Sequence, residues 1–317
     1  MENIKNFSLM VSRLITTFLI LLFLSHNVFA QNKMTEGKIE ESEDTKETSV
    51  VKLSGSYLSN SIYQGRKPEE VQSLISVGAG YYHKSGLFIN GSISYIPNPG
   101  FNKVDRKALT AGYEFYGDKL NVGAYFANYF YNDSSSEINS AINSSAGISS
   151  SYNFNLLSIG AAADFNFLTK TDIVLNANIS HPFSLANNNL HISPIINMNC
   201  GTEYFYQSYF SPNKKNGTSA ATRAATKRKR NLANNTPINN TSSTTTTTVT
   251  VLNANAFKIL DYEFSVPIEV TINKFMLSSN PIFILPVNAA SISYNNVTTK
   301  EALKNAFVLE AGISYTF

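Results

Sequence analysis

The last eleven residues, 307–317 (FVLEAGISYTF), alternate without a break. Phe307, Leu309, Ala311, Ile313, Tyr315 and Phe317 fall on one face, and Val308, Glu310, Gly312, Ser314 and Thr316 on the other. A strand sends successive side chains to opposite sides, so this segment has one wholly apolar face and one small or polar face. About 9–11 tilted residues cross the hydrocarbon of a bilayer. A strand of this length and pattern suits a wall with lipid on one side and water on the other.

The other end of the chain agrees. Lys5 and Arg13 precede an apolar run over 14–24 (LITTFLILLFL), and Val28-Phe29-Ala30 comes before Gln31. This layout predicts an export signal over residues 1–30 with a small-residue cleavage site, too short and too early for a spanning helix. Residues 31–49 hold six acids against three lysines and no aromatic, which predicts a disordered acidic periplasmic tether.

Composition closes off other classes. Mean hydropathy is −0.11 with 15% charged residues, and no second long apolar stretch follows the leader, which excludes a helical membrane protein. A barrel stays hidden in such averages because every second residue faces the lumen. The single cysteine, Cys200, excludes a disulfide framework and a thiolate metal cluster. It reads as a small apolar strand residue. No P-loop, dinucleotide fingerprint, zinc spacing or haem motif occurs, and no cofactor is expected.

From Val50 the chain divides into alternating segments. Outward faces are read as Val51–Tyr57, Ile75–Tyr81, Leu87–Tyr95, Leu109–Phe115 and Leu120–Phe126. A Ser/Asn-rich piece over 132–150 is read as an interruption. Strands are predicted again over 157–167 and 173–179, joined by a short turn at 169–172. Residues 191–200 and 203–210 read as two further strands, then 260–272, 277–287 and 307–317. Pro194, Pro267, Pro281 and Pro286 should mark bulges or strand ends, because each removes a ladder hydrogen bond. Both termini of such a barrel lie in the periplasm, so the count should be even. The expected fold is all-β: a transmembrane antiparallel up-and-down barrel over 50–317 with twelve strands, or ten if one weak hairpin is loop.

The 17 Tyr and 21 Phe, many near strand ends on the apolar face, suit interfacial girdles better than a soluble sandwich. The closing strand, with Phe317 at its end and Tyr315 two residues before, resembles the C-terminal strand by which barrel proteins of Gram-negative bacteria are recognised for assembly. Together with the short leader and the wealth of Asn, Ser, Tyr and Lys, the chain resembles porin-like barrel proteins of Bacteroidetes-type bacteria. That resemblance implies the outer membrane of a Gram-negative bacterium, outer-membrane lipid and the barrel-assembly machinery as partners, and Tyr315 and Phe317 as the assembly signal. It covers architecture and transfers no site.

The opposite faces carry the candidate chemistry. By this register Glu114, Asp164, Asp261, Glu263, Glu269 and Glu310 point inward against Lys52 and His191, an acidic lumen. Asp261 and Glu263, two apart on one strand, project to the same side about 7 Å from each other. Such carboxylates line a cation-preferring path, hold a Ca²⁺, or form an internal hydrogen-bonded network. Residues 211–256 contain Lys214, Lys215, Arg223, Lys227, Arg228, Lys229 and Arg230 and no acid. They predict a long extracellular loop that attracts polyanions such as lipopolysaccharide, with 249–253 extending the next strand outward; nucleic acid is not an expected partner.

Outer-membrane phospholipases use Ser, His and Asn, and Ser180-His181 or His191-Ile192-Ser193 invites comparison. Neither pair has an orienting carboxylate nearby in sequence, so no catalytic function is expected. The reading is an integral outer-membrane barrel, a small channel or uptake protein for polar or cationic solutes. Its rivals are a non-conducting surface scaffold, adhesion or docking barrel, and, third, a phospholipase-like enzyme.

Overall fold

The computed structural model describes residues 48–68, 71–97, 104–133, 135–210, 249–294 and 297–317. The leader (1–30), nearly all of the tether (31–49) and residues 211–248 of the basic loop, which include its seven cations, lie outside the described residues.

Eight strands follow one another as antiparallel neighbours: β1 (Val50–Leu58), β2 (Leu74–Tyr82), β3 (Leu87–Tyr95), β4 (Val104–Tyr116), β5 (Leu120–Tyr131), β6 (Ser144–Asn153), β7 (Ser158–Phe167) and β8 (Asp172–Ser180). The wall continues through β11 (Ile195–Gly201), β13 (Lys258–Ser265), β15 (Phe275–Pro286) and β18 (Ala306–Thr316), and β18 returns to β1. The ring therefore has twelve strand positions and no open edge in its upper wall, and the predicted twelve-stranded barrel is the observed fold. Closure runs from Lys52 opposite Thr316 to Leu58 opposite Glu310, and the Phe317 N–H donates to the Val51 carbonyl at 2.9 Å.

Alternation sets the two surfaces. Val77 (58% exposed), Ile148 (61%) and Phe307 (63%) belong to a continuous outer band of large apolar side chains. In water a patch of that size is an aggregation liability; in lipid it is the solvent-matched face of a membrane barrel. Among the described residues no helix is long and apolar enough to cross a membrane.

Two elements differ from expectation, and their errors cancel in the count. Residues 144–153 are the full strand β6, paired with β5 and β7 along its length, where the sequence reading had an interruption. The segment is hard to see because its faces carry mostly Ser, Gly and Ala. Residues 203–210, read as a strand, are instead mainly the helix α1 (Tyr204–Phe210), which buries Phe205, Tyr206, Tyr209 and Phe210, a helical spacing. With β6 restored, the short turn at 169–172 moves to the long-loop end, whereas 83–86, 117–119, 154–157, 186–189 and 273–274 form the short-turn end, periplasmic in such barrels. β12 (Val249–Leu252) does not extend the next strand. It joins β16 (Ser291–Tyr294) and β17 (Val297–Lys300) in a small separate sheet.

Three neighbouring wall positions break together. β8 resumes past Pro182 as β9 (Phe183–Leu185), β10 (Leu190–Ile192) reaches β11 across Ser193-Pro194, and β13 passes Val266-Pro267 into β14 (Ile268–Ile272). A proline has no N–H for the ladder, so the residue before it carries the bond. His181 N–H donates to Pro194 O (3.1 Å), Ser193 N–H to Pro267 O (2.9 Å), and Val266 N–H to Pro281 O (3.2 Å). Pro182, Pro194, Pro267 and Pro281 thus form a line across four strands. Pro194, Pro267 and Pro286 fall at strand ends as expected, while Pro281 stays inside β15, whose register with β18 is unbroken from Phe275 to Ile284.

The two surfaces make opposite demands on one pair of neighbours in β6. Ile148→Lys, on the lipid face, is expected to lower unfolding free energy by about 2–4 kcal/mol, and Ser149→Lys, on the lumen face, by less than about 1 kcal/mol. Urea unfolding in lipid vesicles measures both.

Candidate permeation lumen and its cap

Pairing register places each inward candidate. Lys52 stands opposite Gly80 and Thr316. Glu114 accepts from the Tyr116 hydroxyl, Asp164 from Tyr125 at 2.7 Å, and Glu310 from Asn280 Nδ2 at 3.1 Å. Glu269 lies opposite His191 and Ser278, below the proline line. His191 Nδ1 is 3.1 Å from Ser184 Oγ on β9, a partner the sequence comparison with Ser193 did not contain. Cross-strand pairing thus brings Ser184, His191 and Glu269 to one face, an alignment sequence spacing conceals. Among the described residues no cluster of His, Cys, Asp and Glu is arranged to hold a metal.

Asp261 and Glu263 belong to a larger array. Asn176 and Asn178 on β8 face Asn199 and Asn197 on β11, which face Asp261 and Glu263 on β13. Asn176 Nδ2 donates to Asn197 Oδ1 (2.6 Å) and Asn199 Oδ1 (2.8 Å), Asn197 Nδ2 to Glu263 (3.2 Å), and Asn199 Nδ2 to Asp261 (2.6 Å). Four amides and two carboxylates form a ladder along one wall. The repeated Asn-x-Asn at 176–178 and 197–199 is its signal in the sequence.

The lumen has two halves. Around mid-wall, below the capped end, inward Ser54, Ser56, Ser149 and Glu310 are exposed, so they face open space. Toward the long-loop end, inward Ala127, Ser145, Asn166, Asp172, Val174 and Asp261 are buried beneath the loops. Twelve strands about 4.8 Å apart, tilted about 40°, make a backbone ring about 24 Å across. Side chains from both walls leave a bore of roughly 10 Å.

The β1–β2 loop folds inward and ends in a two-residue turn. Tyr63 and Arg66 exchange both backbone hydrogen bonds at 2.9 Å, with Gln64 and Gly65 at φ 50° and 68°, the positive pair a type I′ turn requires. A side chain on Gly65 would meet Asp261 and Pro286 at 3.0 Å, which seats the turn against the carboxylate end of the ladder. The Tyr63 hydroxyl accepts from Asn166 Nδ2 on β7 at 2.8 Å. β7 is six positions from β1 in a ring of twelve, so the loop reaches across the mouth.

Around that turn an apolar cluster joins Ile138 and Ile142 of the β5–β6 loop, the buried face of α1, Val249 and Val251 of β12, and Ala290 and Ile292 beyond β15, with Tyr63 and Tyr129 against it. Asp172 holds α1 in place by accepting from the Tyr204 and Phe205 N–H groups at 2.7 and 2.6 Å, as a helix-start carboxylate does. Fully buried Arg66 donates Nε (3.0 Å) and Nη2 (2.7 Å) to Glu203 Oε1 and Nη2 to Asn288 O (3.0 Å). Glu301 lies 3.3 Å from Arg66 Nε, and Lys258 Nζ 2.7 Å from Glu203 Oε2. Two cations and two carboxylates balance, which is what burying them demands.

No family model and no curated protein matches the chain. Solved structures similar to it include the KdgM porin (9% identical, 85% of this chain and 99% of that one, TM-score 0.41). The NanC porin is 10% identical over 84% of this chain and 98% of that one, with TM-score 0.41. An outer membrane channel from Pseudomonas putida F1 is 8% identical over 85% and 96%, with TM-score 0.40. The architecture is that of a transmembrane β-barrel, and what this one does must be read from its own residues.

Glu137 in the cap is buried, and that burial raises its carboxyl to about 7 although Arg106 Nη1 sits 3.3 Å away and opposes the shift; Asp105 adds to the rise and Ser61 opposes it. A raised folded value means the cap binds this proton more tightly than the opened chain does. The stabilisation is complete below about pH 4.5 and lost as pH rises to about 7. Proteolysis of the loops is expected to quicken between pH 5 and pH 8, and Glu137→Gln to flatten that change.

Proposed function

We propose that this barrel is an outer-membrane uptake channel for polar or cationic solutes, held closed at its outer mouth by its own loops. The observation that carries the reading is the open half of the lumen: Ser54, Ser56, Ser149 and Glu310 point inward and remain exposed. A barrel that serves only as a scaffold fills its interior with side chains; this one keeps a polar, acidic chamber. Glu114, Asp164, Glu263 and Glu310 against Lys52 favour cations along it.

The cap then acts as the gate. Its loops are tied to one another through Arg66, Glu203 and Glu301 and to the wall through Asn166, Asp172 and Arg106, so they can leave together by breaking these side-chain ties while the strand ladders stay intact. Arg66 is the centre of that unit. Removing one member of a buried ion pair costs about 3–5 kcal/mol, enough to shift a closed mouth toward open.

Planar-bilayer recording tests this. The unaltered barrel is expected to be mostly closed, with rare steps. Arg66→Ala should raise open probability at least tenfold, with a cation-selective reversal potential that Glu263→Gln weakens. Silence from both the unaltered barrel and Arg66→Ala, each shown to be folded by heat-modifiable migration, would overturn the channel reading in favour of the scaffold.

A further inference from the structure

We propose that the open half of the lumen binds carbohydrate: sugar rings bearing hydroxyl or ammonium groups, with acidic sugars rejected. This deepens the channel reading and rests on it for the ligand's route, though not for binding itself.

One wall offers aromatic faces. The Tyr82 and Phe88 rings lie nearly parallel, 22° apart with centroids at 5.9 Å. Phe88 extends over Gly112 on the neighbouring strand, where a Cβ would come within 2.6 Å of the ring, and Tyr125 lies in the same way over Gly147. A ring resting on a glycine runs along the wall instead of projecting from it. All three rings are half-buried, so each keeps a surface toward the lumen. An aromatic face is apolar and electron-rich, matched to the C–H face of a pyranose.

The other wall offers hydrogen-bonding groups. β2 and β3 stand six positions from β8 and β11 around the ring; Asn178 and Asn197 there, and Glu263 on the next strand, β13, are half-buried. Asn178 donates to Asn176 at 3.2 Å and Asn197 to Glu263 at 3.2 Å. Each amide has two hydrogens and its oxygen two lone pairs, and an ionised carboxylate has about four acceptor sites. Donors and acceptors therefore remain on this wall, fixed in direction by the ladder, with acceptors in excess.

Aromatic faces across a bore of roughly 10 Å from oriented amides and carboxylates suit a flat solute with an apolar face and a rim of donors. Hydroxylated rings meet both walls. An ammonium on the ring gains further from Glu263, whereas a ring carboxylate meets surplus acceptors and negative charge.

Isothermal titration calorimetry on the refolded barrel in detergent, with maltohexaose, a glucosamine hexamer and a uronic-acid hexamer of equal length, tests the site. The first two should bind and the third should not. Phe88→Ala and Tyr125→Ala should each weaken binding about tenfold. Glu263→Gln should weaken the glucosamine hexamer about tenfold and leave maltohexaose within about twofold. Binding of the glucosamine hexamer alone, if lost in Phe88→Ala, supports the cationic arm of the proposal. It is overturned if neither hexamer binds, if the uronic-acid hexamer binds as tightly, or if both aromatic variants bind as the parent does. A barrel that binds sugar but never conducts loses the channel reading and keeps the site; one that conducts but binds none loses only the site.

Discussion

In a bilayer no water is available to a bare N–H or C=O, so a sheet that crosses it must close on itself. Here the last strand meets the first in an unbroken register, and the C-terminal Phe317 N–H finds the Val51 carbonyl. Every other feature presupposes that closure. It fixes which faces point inward, it brings β7 opposite β1, and it gives the loops of one end a common rim on which to meet. The line of four prolines respects the same constraint: three neighbouring strands lose their ladder at the same place, and in each case the preceding residue bonds to a proline carbonyl next door.

Inside the closed wall the lumen is divided by how its polar groups are satisfied. Toward the outer mouth they bond to loops: Asn166 to Tyr63, Asp172 to the start of α1. Toward the periplasmic end they bond to one another along the wall, and water-accessible space remains beside them. The cap is built from charges that cannot be buried singly. Arg66, Glu203, Glu301 and Lys258 come from four separate places in the chain, so each loop's position depends on the others.

Legibility followed local pattern. Strands with bulky outward residues, such as Leu87–Tyr95 and Ala306–Thr316, declared themselves by alternation alone. β6 did not, because its inward residues are small and Gly147 lies beneath Tyr125; a strand shaped to receive a neighbour's ring looks like a polar linker when read by itself. The segment 203–210 is aromatic in so many positions that periods of two and of 3.6 both fit. Its helix is decided by Asp172, far away in sequence, which satisfies the first N–H groups. The total of twelve came out right although one strand was missed and a helix was counted in its place. The inward acids are locatable by register, while the amides that engage Asp261 and Glu263 are not, since a hydrogen-bonded ladder exists only after β8, β11 and β13 are side by side.

The sequence by itself determined the two surfaces of the wall, because side-chain direction along a strand has period two and needs no partner to express it. It determined equally that the crossing would be made by strands, since the faces of 50–317 alternate with period two and no apolar run beyond residues 14–24 is long. Tertiary structure alone decided how the described loops of the outer end meet over the lumen and which inward groups below them stay exposed. Those depend on Tyr63 meeting Asn166 and Arg66 meeting Glu203 across the ring, and a contact between residues more than a hundred positions apart leaves no periodicity in the chain to be read.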